Sequence, residues 1–166
     1  MVTAAPLPPR VLDRVLSAVH CGSFVLVRSP LTLRVFAEHV ELEQERLAAV
    51  DVGELAAVAA CGAGVVVGHD PARGGLSGVL CAIQNLSLAA AAEELGVRWV
   101  SSWREEFLRS LVGMPAHVRP VAWLCLGTLE VMSEAPAAQP SGWRHRSPLS
   151  SVLHEEYYDA AGGLSA

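Results

Sequence analysis

This sequence has few charged residues, and those it has are not grouped. Only 17% of its 166 residues are charged, the formal net charge is −5, and the arginines are scattered along the chain. Nucleic-acid binders need clustered basic side chains to neutralise phosphates, so that class of function is excluded. By contrast, 52% of the residues are hydrophobic, which exceeds what a soluble monomer of this length needs. We therefore expect part of the surface to face a partner chain.

Long apolar runs are also missing. The most apolar window, residues 55–68, is shorter than the roughly 20 residues that cross a bilayer, and acidic residues flank it. The first ten residues, "MVTAAPLPPR", lack the basic start and the apolar run of a secretory signal. We expect no membrane span and a cytoplasmic location.

Cysteine patterns typical of metal or disulfide sites are absent as well. The four cysteines lie far apart, without a Cys-x-x-Cys pair, and no two histidines have ligand spacing: Cys21, Cys61, Cys81 and Cys125. No metal site and no disulfide is predicted. Because each cysteine lies among apolar residues, we expect four reduced, buried thiols.

Apolar periodicity predicts helices that alternate with short strands. Three stretches have the apolar spacing of helices: 9–20, 31–50 and 76–95. Three others are apolar runs of strand length: 24–28, 64–68 and 121–127. The helix 31–50 should turn Leu33, Phe36, Val40 and Leu47 inward, and Gly96 should end the helix 76–95. This alternation predicts an α+β or α/β sandwich.

Two further helices carry start signals. Asp51 and Glu54 resemble the start of a helix that follows residue 50, and Ser102 with Glu105 forms a capping box. Ser101 is left without a structural role, so it is a candidate for ligand contact. A nucleophilic role is not predicted, because no His–Asp pairing can be read nearby.

The helix 76–95 contains two adjacent amides, Gln84 and Asn85, in an otherwise apolar setting. One interpretation is a polar crossing point, where the amides bond to the backbone of a neighbouring helix. The other is that one amide faces a bound ring system or holds the loop that does. Both interpretations remain open at the level of the sequence.

Near the C-terminus, "GWRHR" places Arg144 and Arg146 at alternate positions of an extended segment. Their guanidinium groups would point to the same side and could grip a phosphate. The alternative is an exposed basic spot that pairs with glutamates of a neighbouring chain. Because the segment also contains Trp143, Tyr157 and Tyr158, we predict a domain at 1–132 and an arm at 133–166 that lies on another surface.

The stretch "CAIQNLSLAAAAEELGVRWVSSWREEFLRSLVGMPAHVRPVAWLCLG", followed by "GWRHRSPLSSVLHEE", is similar to the nitroreductase superfamily. It most resembles the dimethylbenzimidazole synthase branch, which uses reduced FMN and oxygen to make the lower ligand of cobalamin. The resemblance implies an α+β three-layer sandwich with a central mixed sheet flanked by helices. It also implies a homodimer with FMN at the interface and the arm wrapped over the partner.

The same resemblance implies roles for particular residues. Trp99, Val100 and Ser101 would approach the flavin ring, with Ser101 implicated in the chemistry, and Arg144 and Arg146 would lie near the phosphate. Three flavin-facing elements of the family are missing or short, however. These are the arginine-rich start with its catalytic aspartate, the segment replaced here by "CGS", and the stretch cut down to "GGLSG". Two interpretations follow: an FMN-dependent oxidoreductase, or a dimeric scaffold that has lost its flavin site and binds a ligand or protein partner.

Overall fold

The computed structural model describes residues 2–3, 7–19, 21–48 and 50–129. Five helices are present in these ranges: α1 (Pro9–Ser17), α2 (Pro30–Leu47), α3 (Val52–Ala59), α4 (Leu76–Ala92) and α5 (Glu105–Val112). The strands there are β1 (Val2–Thr3), β2 (Ser23–Val27), β3 (Ala63–His69), β4 (Leu95–Val100) and β5 (Arg119–Leu129). A 3₁₀ turn covers Pro71–Arg73. The α+β class predicted from the sequence is confirmed.

Strand β5 is the centre of the sheet. It pairs with β3 along one edge and with β4 along the other, and Val100 of β4 lies opposite Trp123. Strand β2 continues the sheet beyond β3, and β1 pairs with the end of β5. Strands that run in the same direction, such as β3 and β4, are separated by an opposite strand. The mixed sheet that we expected is therefore antiparallel at every pairing among the described strands.

The sheet is covered on both faces, as a three-layer sandwich requires. One apolar cluster joins α1 and α4 to the sheet through Leu12, Ile83 and Val65. A second cluster joins α2, α3 and α5 to the other face through Phe36, Val58, Leu108 and Val66. Adjacent residues of β3 enter opposite clusters because strand side chains alternate between faces. This explains the continuous apolar runs of β3 and β5.

Several local predictions are wrong in instructive ways. Leu47 is 54% exposed, so α2 does not turn it inward. Helix α4 ends at Ala92, the chain turns at Glu94, which has a positive φ of 58°, and Gly96 lies inside β4. Helix α5 begins at Glu105 without a side-chain cap, so Ser102 does not form the predicted capping box. The end of α4 and the start of α5 therefore do not follow from the local sequence signals.

The cysteines, and the two amides of α4, also differ from expectation. All four cysteines are free, but Cys21 and Cys81 are exposed, and only Cys61 and Cys125 are buried. The hydrogen bond with Cys61, together with burial, raises the pKa of the Cys125 thiol, so that thiol stays protonated. Gln84 and Asn85 are exposed on α4, which rules out a buried helix crossing within one chain. None of the helices in the described ranges is long and apolar enough to cross a membrane.

Candidate functional site

A buried carboxylate lies beside the end of β4. Glu54 is only 3% exposed and belongs to the first turn of α3. That turn is fixed because Asp51 Oδ1 accepts a hydrogen bond from the Glu54 N–H at 2.9 Å, which confirms Asp51 as the helix cap. The other carboxylate oxygen of Asp51 accepts from Arg98 Nη2 at 2.9 Å. Since Arg98 lies on β4, this contact ties the start of α3 to that strand.

Four hydrogen bonds converge on the Glu54 carboxylate. Its Oε1 atom accepts from the Ser101 N–H at 2.6 Å and from the Ser101 hydroxyl at 2.7 Å. Its Oε2 atom accepts from Gln44 Nε2 at 3.2 Å and from the Ser102 N–H at 3.3 Å. Glu54 therefore holds the backbone of two consecutive residues that follow β4.

The protonation state of Glu54 follows from these contacts. Burial is the largest single influence and raises the pKa of Glu54, but the hydrogen bonds from Ser101, Ser102 and Gln44 together outweigh it. The pKa of Glu54 consequently lies below its ordinary value. At neutral pH the group is a carboxylate, which accepts hydrogen bonds and cannot donate one.

Gln44 connects this carboxylate to α2. Its side chain is almost fully buried; its Oε1 accepts from the Asp51 N–H at 3.0 Å, and its Nε2 donates to the Ser102 hydroxyl oxygen at 3.3 Å. A single amide thus joins α2, the start of α3 and the segment after β4. The Ser102 hydroxyl is used here, and this explains why it does not cap α5.

The other end of the segment is held by His39 of α2. The Arg104 N–H donates to His39 Nε2 at 3.2 Å, and the His39 ring stacks on Phe107 with centroids 3.6 Å apart. Burial is the main influence on the pKa of His39 and lowers it, so the ring is neutral and can accept this bond. Arg104 also pairs with the buried Glu43 at 2.8 Å. Residues 101–104 are therefore fixed at both ends.

Ser101 itself is exposed, although its hydroxyl proton points to Glu54. A serine hydroxyl has one proton to donate and two lone pairs to accept with. Because the proton is used by Glu54, the Ser101 oxygen is available to a ligand only as an acceptor. A carboxylate of lowered pKa is also a weak base, so these contacts do not activate Ser101 as a nucleophile.

The structure brings three of the predicted site residues together at the end of β4. Trp99 is 42% exposed, whereas Val100 is fully buried and presents no accessible surface to a ligand. Its carbonyl oxygen already accepts from Trp103 Nε1 at 2.8 Å. Arg144 and Arg146, together with the rest of the predicted arm, lie outside the described residues.

Glu54 and Gln44 were missed as site residues by the sequence analysis. Glu54 was interpreted as part of a helix start, which accounts for its position but not for its burial. The available signal was a single charge in the otherwise apolar helix "VGELAAVA". A lone charge on a buried face needs partners, and here they come from residues 44, 101 and 102.

A separate groove of about 370 Å³ lies between α2, the end of α3 and the end of β2. Arg28 and Arg34 line it together with apolar side chains such as Leu33 and Val58, and Ser101 is not among its lining residues. Within the described ranges, no group of three or more His, Cys, Asp or Glu side chains could hold a metal ion.

Comparison with known proteins gives matches to one family. The model of the Nitroreductase family matches residues 9–128. Two 5,6-dimethylbenzimidazole synthases are each 37% identical, that of Rhodobacter capsulatus over 67 residues and that of Rhodospirillum rubrum over 70 residues. These matches cover 40% and 42% of this chain. They span only 32% and 33% of the two relatives, so the aligned part is about a third of each curated protein.

Solved structures match over most of the chain. An iodotyrosine deiodinase bound to FMN and 3-iodo-L-tyrosine superposes with a TM-score of 0.73 and 14% identity, covering 95% of this chain and 93% of that one. Nitroreductase A from Vibrio parahaemolyticus superposes with a TM-score of 0.69 and 19% identity, covering 95% of this chain and 70% of that one. At these identities the likeness concerns the fold.

Proposed function

Because this chain belongs to the nitroreductase family, we propose that it is an FMN-dependent oxidoreductase whose segment after β4 contacts the flavin ring. The observation that carries the proposal is the Glu54 anchor. It fixes an exposed Ser101 at the position where the family resemblance predicts ring contact. When bound, FMN would supply the electron transfer, and the residues of this chain would bind and orient it.

The side chains around Ser101 suit the ring of FMN better than its phosphate. The flavin ring carries N–H and C=O groups, and the free lone pairs of Ser101 suit an N–H donor. Trp99 adds exposed apolar surface beside it. The phosphate needs several cationic donors, yet Arg98 is paired with Asp51 and Arg104 with Glu43. We therefore assign the phosphate to Arg144 and Arg146, as the family resemblance implies.

A visible spectrum and an FMN titration test this proposal. Because the two flavin-facing segments that the resemblance places at "CGS" and "GGLSG" are short, we expect the protein to purify with little flavin and to bind added FMN weakly. Arg144→Ala and Arg146→Ala should each weaken FMN binding about tenfold or more, because charge-assisted hydrogen bonds contribute roughly 1.5–3 kcal/mol each. Arg10→Ala, an exposed arginine on α1, is the matched control and should bind like the wild type.

One other outcome of the FMN titration is informative. Absence of FMN binding at millimolar concentration would overturn the proposed function. It would favour the alternative, a protein that binds a different ligand, for which the groove with Arg28 and Arg34 is the candidate place.

A homodimer is part of this proposal, and the outer side of α4 supports it. Leu76, Leu80 and Leu88 are all exposed, at intervals of four or eight residues, with Gln84 between them. Residues four apart are neighbours on a helix surface, so these side chains form an apolar stripe. Gln84 would then lie in a contact between two copies, which accounts for an amide in an apolar helix.

Light scattering of Leu80→Glu tests the dimer. A charge at the centre of an obligate interface, typically above roughly 2,000 Å², should leave a monomer at micromolar concentration. Leu42→Glu replaces an exposed leucine on α2, at 62% against 44% for Leu80, and should remain dimeric. A monomeric wild type, or a dimeric Leu80→Glu variant, would contradict the proposed interface.

A further inference from the structure

We infer that Glu54 is a positioning residue that makes Ser101 a hydrogen-bond acceptor toward its ligand, so that the site favours reduced over oxidised flavin. This inference rests on the proposed function, because it assigns a preference to the same site. It also concerns a residue that makes no contact with the ligand itself and acts only through Ser101.

Two hydrogen bonds to Glu54 fix the orientation of Ser101. Its N–H and its hydroxyl both donate to the same atom, Glu54 Oε1, at 2.6 Å and 2.7 Å. The two bonds fix the backbone and the hydroxyl rotor together. Turning the hydroxyl toward a ligand would leave a buried carboxylate oxygen with one donor fewer, which is unfavourable for a charged group. The oxygen lone pairs of Ser101 therefore face the open side.

The preference follows from the chemistry of the ring. Reduction of a flavin adds N–H donors to ring nitrogens that carry only lone pairs when oxidised. An oxygen that can only accept gains a hydrogen bond with the reduced form and faces a second lone pair in the oxidised form. One such bond corresponds to about a tenfold difference in Kd. For a two-electron couple this is a shift of about 30 mV toward positive potential.

Two variants remove the preference by different routes. In Glu54→Gln one of the two carboxylate oxygens becomes an NH2 group; beside Ser101 this group cannot accept from the hydroxyl, whose proton is then free to face the ligand. Ser101→Ala removes the oxygen but keeps the backbone N–H that binds Glu54. Glu41→Gln, an exposed glutamate on α2, is the matched control. If Glu54→Gln fails to fold, Ser101→Ala still tests the role of the oxygen.

The test is an anaerobic titration of each protein with oxidised and with reduced FMN. For each protein the result is the ratio of the Kd for oxidised FMN to the Kd for reduced FMN. We expect this ratio to be about tenfold higher in the wild type and in Glu41→Gln than in Glu54→Gln and Ser101→Ala. Equal Kd ratios in all four proteins would overturn the inference while leaving the proposed function standing.

Amide hydrogen exchange of the flavin-free protein provides an independent measurement. In Glu54→Gln the N–H groups of residues 101 and 102 should exchange about tenfold faster than in the wild type, because the amide has one oxygen where the carboxylate has two, and that oxygen is a weaker acceptor. The control should show no change. If the wild type binds neither form of FMN, the proposed function fails. Unchanged exchange in Glu54→Gln would show separately that Glu54 does not position the segment.

Discussion

Replacing Gly64 with alanine is expected to destabilise the core that supports the end of β4. A Cβ atom built on Gly64 would lie 2.4 Å from Cζ2 and 2.9 Å from Cε2 of Trp123. Trp123 cannot withdraw, because it is fully buried and stacks on Phe36 with ring centroids 3.7 Å apart. Forcing extra volume into a packed core costs roughly 1–3 kcal/mol. We expect the free energy of unfolding to fall by that amount.

The same added methyl group should have the opposite effect at Gly78 of α4. Its Cβ would meet Cys21 Sγ at 3.4 Å, an ordinary contact, and alanine favours a helix over glycine by about 0.5–1 kcal/mol. Urea denaturation of Gly64→Ala, Gly78→Ala and the wild type, followed by circular dichroism, compares the two sites. A Gly64→Ala variant as stable as the wild type would refute the packing argument.

Two further predictions concern the Glu54 network. Because the pKa of Glu54 is depressed on folding, its contribution to stability is present above its unfolded value of about 4.3 and is lost as pH falls through the folded pKa. Urea denaturation of the wild type and Glu54→Gln should thus differ more at about pH 7 than at about pH 3, and a constant difference would argue against an ionised Glu54. Asp51→Ala removes the cap of α3 and the ion pair with Arg98, so the free energy of unfolding should fall by about 1 kcal/mol. Asp13→Ala, exposed on α1, should change little, and equal losses in the two variants would contradict the capping role.

The sequence was sufficient to predict helices and strands wherever they depend on a local apolar pattern. The continuous apolar run between Pro120 and Gly127 predicted a strand, and because it leaves no polar face for solvent, it agrees with the place of β5 between β3 and β4. The buried face of α4 was harder to predict, because alanines on several sides of the helix do not distinguish a buried face from an exposed one. Leu80 is exposed, while Val79 and Ile83 are buried. Only packing against β3 and β5 distinguishes these faces.

The candidate site was predictable only at its exposed end. Ser101 could be chosen because nothing local accounted for it, but its partner Glu54 is 47 residues away in the chain. The distance between Gln44 and Ser102 is longer still, at 58 residues. Hydrogen bonds between residues so far apart in the sequence produce no periodic pattern, because each residue taken alone fits a helix or a loop equally well. Glu54 also fitted a helix start, which concealed its second role.

The arrangement of the segment after β4 bears on whether the network serves stability alone. Glu54, Gln44 and His39 come from two helices, and all three are buried, yet Ser101, which Glu54 holds through two hydrogen bonds, is exposed. A network that served only stability would gain by enclosing every polar atom, since a buried carboxylate with solvent-accessible donors is more easily disrupted by water. Rigid support from buried polar groups behind an exposed hydroxyl is the arrangement that binding sites require, because the contacting atom must be held before the ligand arrives. The exposure of Ser101 therefore supports the proposal that it is the contacting end of a preorganised site.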